Sequence, residues 1–271
     1  MFFKRMFIAV GLVAIAVSLS GRTHELYQHK VKGLGEFIAR FNGDELAPVN
    51  TLQGDSARVM NIVQLLNMSD RPAGWEIEAQ AFAGHCAKNS PRLALTDTTY
   101  VALAHARVAY KGAEHPVTIT LRMEPYGQGY YRWAIIGADG LFPAILHEAN
   151  YAQPVSPTDN ELNFMELDSF FKGYGDTLPS YRAIHSPYDQ LSALMALIQT
   201  KRIEWKGVDS VSYCFLSVPG YIFTVKEYVR DSTNAGWLID NFSKADASAK
   251  EDCLRGLIGQ KFLRTPSQKS K

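Results

Sequence analysis

Three side chains have the chemistry to bind an anion or move a proton from the surface of a sheet: His105, Arg107 and Tyr131. His105 and Arg107 stand two apart in "YVALAHARVAY", Tyr100 to Tyr110, so a period of two puts them on one face. With Tyr131 on a neighbouring strand, the set suits binding of a polar or anionic ligand. It also suits acid–base work by a histidine near a tyrosine, tuned by an apolar wall. The same count admits the outer-face reading, in which these are solvated side chains on a sheet.

Other reactive patterns are weaker. "HEANY", at His147 and Glu148, lacks the second histidine of a zinc-binding helix, and no other pair among the 7 histidines has ligand spacing on an expected helix. Neither a metal site nor any other cofactor is expected. His85 and Cys86 are adjacent, but neighbouring helical residues point about 100° apart, which makes a poor base–thiol dyad. "GYGDTL", Gly173 to Leu178, has two of the three dinucleotide-fingerprint glycines and no strand before it, so it reads as a loop. No G-x-S-x-G or P-loop is present. Aromatic residues gather near turns in "YGQGYYRW" and "VPGYIF". There Tyr126, Tyr130 and Tyr221 are the candidates for surface recognition, while Trp133 and Trp237 read as core residues sealing their sheets.

The elements that must carry these residues follow from periodicity. Leu34, Phe37, Ile38 and Phe41 keep helical spacing up to a stop at "NGDE", Asn42 to Glu45. Val59, Ile62, Val63 and Leu66 mark a second helix after "GDS", and Trp75 to Cys86 marks a third. The period then falls to two. Tyr100–Tyr110, the alternating Val117, Ile119, Leu121 and Met123, and Tyr130–Gly137 form an expected antiparallel meander. A second series repeats the order. "NELNFMELDSFF" and "HSPYDQLSALMALIQ" read as helices, the latter with Ser186 as N-cap and Leu191, Leu194, Met195 and Ile198 as its buried stripe. Strand patterns follow at Ile203–Trp205, Val211–Val218, Tyr221–Arg230 and "WLIDNF".

"YRWAIIGADG" and "AGWLIDNF" close the two series with the same aromatic-apolar phrase. The expectation is an α+β protein with short helices on strongly curved antiparallel sheets, built as two related units. A boundary falls near residue 150 in "HEANYAQPVSPTDN".

"EFIARFNGDE", the short helices after it, the long meander and the "YRWAI" strand together resemble the nuclear transport factor 2-like (cystatin-like α+β cone) superfamily, here in tandem. The resemblance covers residues 30 to 140 by order of elements and 185 to 242 more loosely, without a diagnostic motif. The chain also resembles uncharacterised exported Bacteroidetes proteins of that type. The resemblance implies helices wrapped by a bent sheet, and a family that includes isomerase-, dehydratase- and cyclase-like enzymes beside members that only bind.

The N-terminus reads "MFFKR" and then "MFIAVGLVAIAVSL", the basic and apolar regions of a secretory signal, with cleavage expected before Gly21. Residues 1–20 are thus a signal peptide, with an uncleaved anchor as the alternative. Arg22 stands where a lipoprotein signal would need cysteine. The chain has 28 basic and 27 acidic residues, and losing Lys4 and Arg5 leaves it close to neutral, with no field to draw nucleic acid. Three cysteines, Cys86, Cys214 and Cys253, allow at most one internal bridge. Cys214 in a strand and Cys253 at the opening of a terminal helix would be its members if helix and sheet pack; the other reading is buried free thiols. The functional expectation is an exported, non-catalytic protein, periplasmic or envelope-associated, that binds a protein, glycan or small apolar ligand. The alternative is an isomerase-, dehydratase- or cyclase-like enzyme using His105 with Tyr131 in the first cone. No membrane span is expected after signal cleavage, and a broad sheet face also admits a homodimer.

Overall fold

A computed structural model describes residues 29–47, 52–69, 71–89, 92–127, 129–141 and 190–259. The signal sequence, the boundary near residue 150, the segment 160–171 and the cap at Ser186 lie outside the described residues. Among the described residues, no helix is long and apolar enough to cross a membrane.

Three helices come first, on the segments that their apolar spacing marks: α1 (Leu34–Asn42), α2 (Gly54–Gln64) and α3 (Trp75–Asn89). They precede β1 (Tyr100–Tyr110), β2 (Ala113–Tyr126) and β3 (Tyr130–Asp139). Then come α4 (Gln190–Gln199), β4 (Glu204–Phe215), β5 (Tyr221–Tyr228), β6 (Gly236–Lys244) and α5 (Ala247–Leu257). The patterns at 203–205 and 211–218 merge into one strand, β4, whose pairing with β1 shifts register on either side of Ala106 and Arg107. Such shifts let a long strand stay paired while it bends. α5 starts six residues before Cys253, because the Asp246 side chain caps it by accepting from the Ala249 amide at 2.8 Å.

All six strands form one open antiparallel sheet in the order β3-β2-β1-β4-β5-β6. The two meanders therefore do not build two sheets. β1 pairs with β4 over most of its length, Tyr100 opposite Phe215 and Ala109 opposite Glu204. The repeated phrases around Trp133 and Trp237 lie on the two outer strands of a single sheet. A duplicated pair of units does not emerge from this arrangement.

Contacts divide the chain into two compact units along other lines. One gathers the described residues up to Leu95 with Val225–Asp240. Its core includes Phe37, Phe41, Ile62, Leu66 and Phe82, all fully buried. Buried amides tie up the carbonyls left over at helix ends. Asn61 donates to Arg40 O at 3.1 Å and Glu45 O at 2.9 Å, and Asn42 exchanges two 2.8 Å bonds with the Leu93 backbone. Arg58 donates to Phe41 O and Ala87 O, joining α2 to the chain of α1 and α3. The segment 235–239 is bracketed by two parallel bridges, Val31 to Gly236 and Leu66 to Ile239. Gly236 has φ +88°, and a Cβ there would lie 2.0 Å from Val31 O, so the approach requires glycine.

The other unit holds the described residues of Thr96–Thr224 and those from Asn241 on. One sheet face carries an aromatic row across four strands. Trp133 meets Tyr100 edge-on at 5.7 Å, Tyr100 stacks on Phe215 at 4.9 Å, and Phe215 stacks on Phe223 at 4.8 Å. Burial raises the pKa of Tyr100 and of Tyr213 beside it, so both stay neutral and pack as aromatic core. The opposite face takes α5 over Val101, Leu103, Ile136 and Cys214, with Leu254, Leu257 and Ile258 packed against them. Thr120 donates its hydroxyl to Leu257 O at 2.6 Å, satisfying a carbonyl at the end of α5. Gly137 permits this contact, since a Cβ there would meet the Ile258 Cα at 2.5 Å. α4 is tied on through Gln190, which donates to Asp139 at 3.0 Å and accepts from the Leu141 amide at 3.0 Å.

Candidate functional site

His105 and Arg107 lie on the α5-bearing face of the sheet, beyond the part packed against the helix. His105 is half-buried and bridges three strands. Its Nε2 shares a 2.9 Å hydrogen bond with Ser212 Oγ on β4, and its Nδ1 shares one of 3.3 Å with Thr118 Oγ1 on β2. A serine hydroxyl at that distance from an imidazole has the geometry of a nucleophile beside its base. Ser212, however, is 2% exposed, so no substrate reaches its oxygen. The pair serves to close polar groups inside the sheet.

Arg107 is held from two sides at the surface. Its Nε and Nη2 grip Asp209 of β4 at 2.8–3.0 Å, and Nη1 donates to Glu114 of β2 at 2.7 Å. The bonds to Asp209 and then Glu114 raise the arginine pKa further, and the same bond holds the Asp209 carboxyl below its ordinary range. Both carboxylates are spent on the one guanidinium, which leaves a polar stripe with an excess of negative charge and, among its described residues, no free cation for an anionic ligand.

Tyr131 stands elsewhere. His105 is opposite Thr118 of β2, whereas Tyr131 is opposite Pro125, seven positions along the same strand. That places them about 23 Å apart along the strand direction. β1 and β2 bring His105 and Arg107 together and leave Tyr131 at the far end of the ladder.

Tyr131 belongs instead to the β2–β3 hairpin end, with Tyr126 and Tyr130. Tyr126 pairs with Tyr130 as the last rung. Tyr130 is 68% exposed and Tyr131 40% exposed, and as successive strand residues they point to opposite faces. Arg132 lies over the Tyr126 ring at 5.0 Å and within 3.9 Å of Glu124, which orders the hairpin face beside Tyr130. Tyr221 is a correction. Expected at the surface, it is 8% exposed, because its amide closes a turn onto Val218 O at 3.2 Å and the ring turns inward at the start of β5.

A polar cluster that periodicity does not reveal lies in the first unit. Arg230 donates to Asn67 Oδ1 at 2.9 Å, to Asn234 Oδ1 at 2.6 Å and to Ser69 Oγ at 2.6 Å, and lies over the Tyr228 ring. Arg71 donates to Asn67 O and Asp240 O and covers Trp75 at 4.7 Å. Tyr228 donates its hydroxyl to Asp240, which also pairs with Lys226 at 2.8 Å. Burial, and then the bond to Asp240, push the Tyr228 hydroxyl pKa up to about 12. Burial opposes ionisation of Asp240, but its bonds to Lys226 and Tyr228 outweigh this and hold the carboxyl low. The one signal in sequence was the density of Arg, Asn and Asp in "YVRDSTNAG". This cluster joins residues 67–75 to 226–240, with the guanidinium hydrogens of Arg71 and Arg230 taken up by carbonyl, amide and hydroxyl oxygens.

Among the described residues, no group of three or more His, Cys, Asp or Glu side chains is placed to hold a metal ion. Compared with protein-family models, curated proteins and solved structures, the chain matches none.

Proposed function

We propose that the chain is an exported, non-catalytic binding protein of the cell envelope that recognises a protein or glycan through the end of its β2–β3 hairpin. The observation that carries this reading is the exposure of Tyr130 and Tyr131 on opposite faces of one hairpin, beside an arginine fixed over Tyr126. Rigid aromatic rings with polar tips give contact area at low entropic cost. Rings on an open hairpin do not enclose a small apolar ligand, which favours a protein or glycan among the three ligand classes. Export is supported by the basic-then-apolar N-terminus. Helices followed by an antiparallel meander support the nuclear transport factor 2-like reading of residues 30–140, which by itself selects no activity. An isomerase-, dehydratase- or cyclase-like site would need His105 and Tyr131 together, and their register works against it.

The test compares the protein with a Tyr130→Ala/Tyr131→Ala variant on a glycan array and in capture from envelope extracts. The expected result is one glycan or protein retained by the parent and lost by the variant, with circular dichroism unchanged. Equal retention by both removes the hairpin as the site, and turnover of a captured compound removes the non-catalytic reading.

A further inference from the structure

Two cysteines lie in one apolar cluster outside the surfaces above. Cys214 is on β4, opposite Val101 of β1, and is buried under α5. Cys253 is in α5, half-buried, and packs against the same cluster of Val101, Leu103, Ile136 and Cys214. Neither is in a disulfide, and the shared cluster brings the α5 cysteine against the β4 one. We infer that Cys214 and Cys253 are a dithiol–disulfide site at which oxidation fastens α5 to β4.

The asymmetry of exposure orders the chemistry. Cys253 is the sulfur a solution disulfide can reach, so its thiolate attacks the oxidant, forms a mixed disulfide and expels one thiolate. Cys214 then attacks Cys253 Sγ and displaces the second. One S–S bond forms in the protein and one breaks in the oxidant. The protein loses two electrons and two protons, and the oxidant ends as two thiols. Burial keeps Cys214 from meeting a solution disulfide itself and leaves it the resolving thiol. The bridge closes a loop of about 40 residues, long enough to constrain the unfolded chain appreciably.

Neither step depends on the proposed binding function, and both can be followed on the purified full chain in an oxidised/reduced glutathione buffer. Alkylation after denaturation should label three thiols in the reduced protein and one, Cys86, in the oxidised protein. Peptide mapping should show a 214–253 link. The oxidised form should melt about 5 °C or more above the reduced form, and Cys86→Ala should leave the link intact. Three labels after equilibration with oxidised glutathione would overturn the inference. So would a bridge to Cys86, or a stable glutathione adduct on Cys253. The mapping uses the unmutated protein, so its outcome does not depend on any variant folding.

Discussion

Val101, Leu103, His105 and Arg107 are alternate residues on one face of β1, yet they occupy two environments. Val101 and Leu103 are buried under α5, while the Arg107 side chain is 46% exposed. The neighbouring strands change at the same level. Across from the covered end stand Cys214 and Ser212, and across from the wet end Ser210 and Gly207, with Asp209 reaching Arg107. A period of two identifies the face but not how much of it is covered. Coverage is decided by a helix that arrives about 150 residues later, whose length and docking glycine set where apolar contact stops.

The covered end of β1 should be the more sensitive to substitution. Leu103→Ala should cost about 3 kcal/mol in chemical denaturation, through lost burial and a cavity beneath α5. A loss below about 1 kcal/mol would mean the helix does not depend on this contact. Gly137→Ala comes next, at about 2 kcal/mol, because the added Cβ meets the Ile258 backbone rather than a movable side chain. Faster proteolysis within α5 should accompany it, and an unchanged digestion pattern would count against the docking geometry. Thr120→Val should cost about 1 kcal/mol by orphaning Leu257 O, read as a shift of the denaturation midpoint with an unchanged m-value.

At the wet end, Arg107→Ala should move the melting temperature by no more than about 2 °C, since exposed pairs contribute little. Asp209 has a depressed folded-state pKa, so any stability from the pair is present above the unfolded carboxylate value and disappears as pH falls through the lower folded value. The small difference between parent and variant should therefore narrow below roughly pH 4. A difference that grows under acid would show that Asp209 is not stabilised by Arg107.

Elements with a strong local period were legible. Phe37, Ile38 and Phe41 are the buried stripe of α1, and Val117, Ile119 and Leu121 are the buried face of β2. Pairing between distant strands was not. Nothing local to Tyr100–Tyr110 or Glu204–Phe215 says that these strands adjoin, so the echo of Trp133 by Trp237 suggested two sheets where there is one. Tyr221 was misplaced because a tyrosine after "VPG" looks like a turn residue, and only the Val218 contact shows it entering the core. Of the candidate site, period two correctly put His105 and Arg107 on one face. It could not show that Ser212, Thr118, Asp209 and Glu114 already hold them.

The first unit's final segment, Val225–Asp240, has a consequence for synthesis. α1, α2 and α3 emerge from the ribosome early, but their partners at Gly236 and Ile239 lie far downstream. Translation of about 145 further residues separates the end of the helical segment from Asp240, roughly 7–30 s at ordinary elongation rates. Throughout that interval the backbone groups of Val31, Leu65 and Asn67 lack the partners at Ala235, Trp237 and Ile239 that they have in the finished fold, so the first unit can close only after most of the chain has been made.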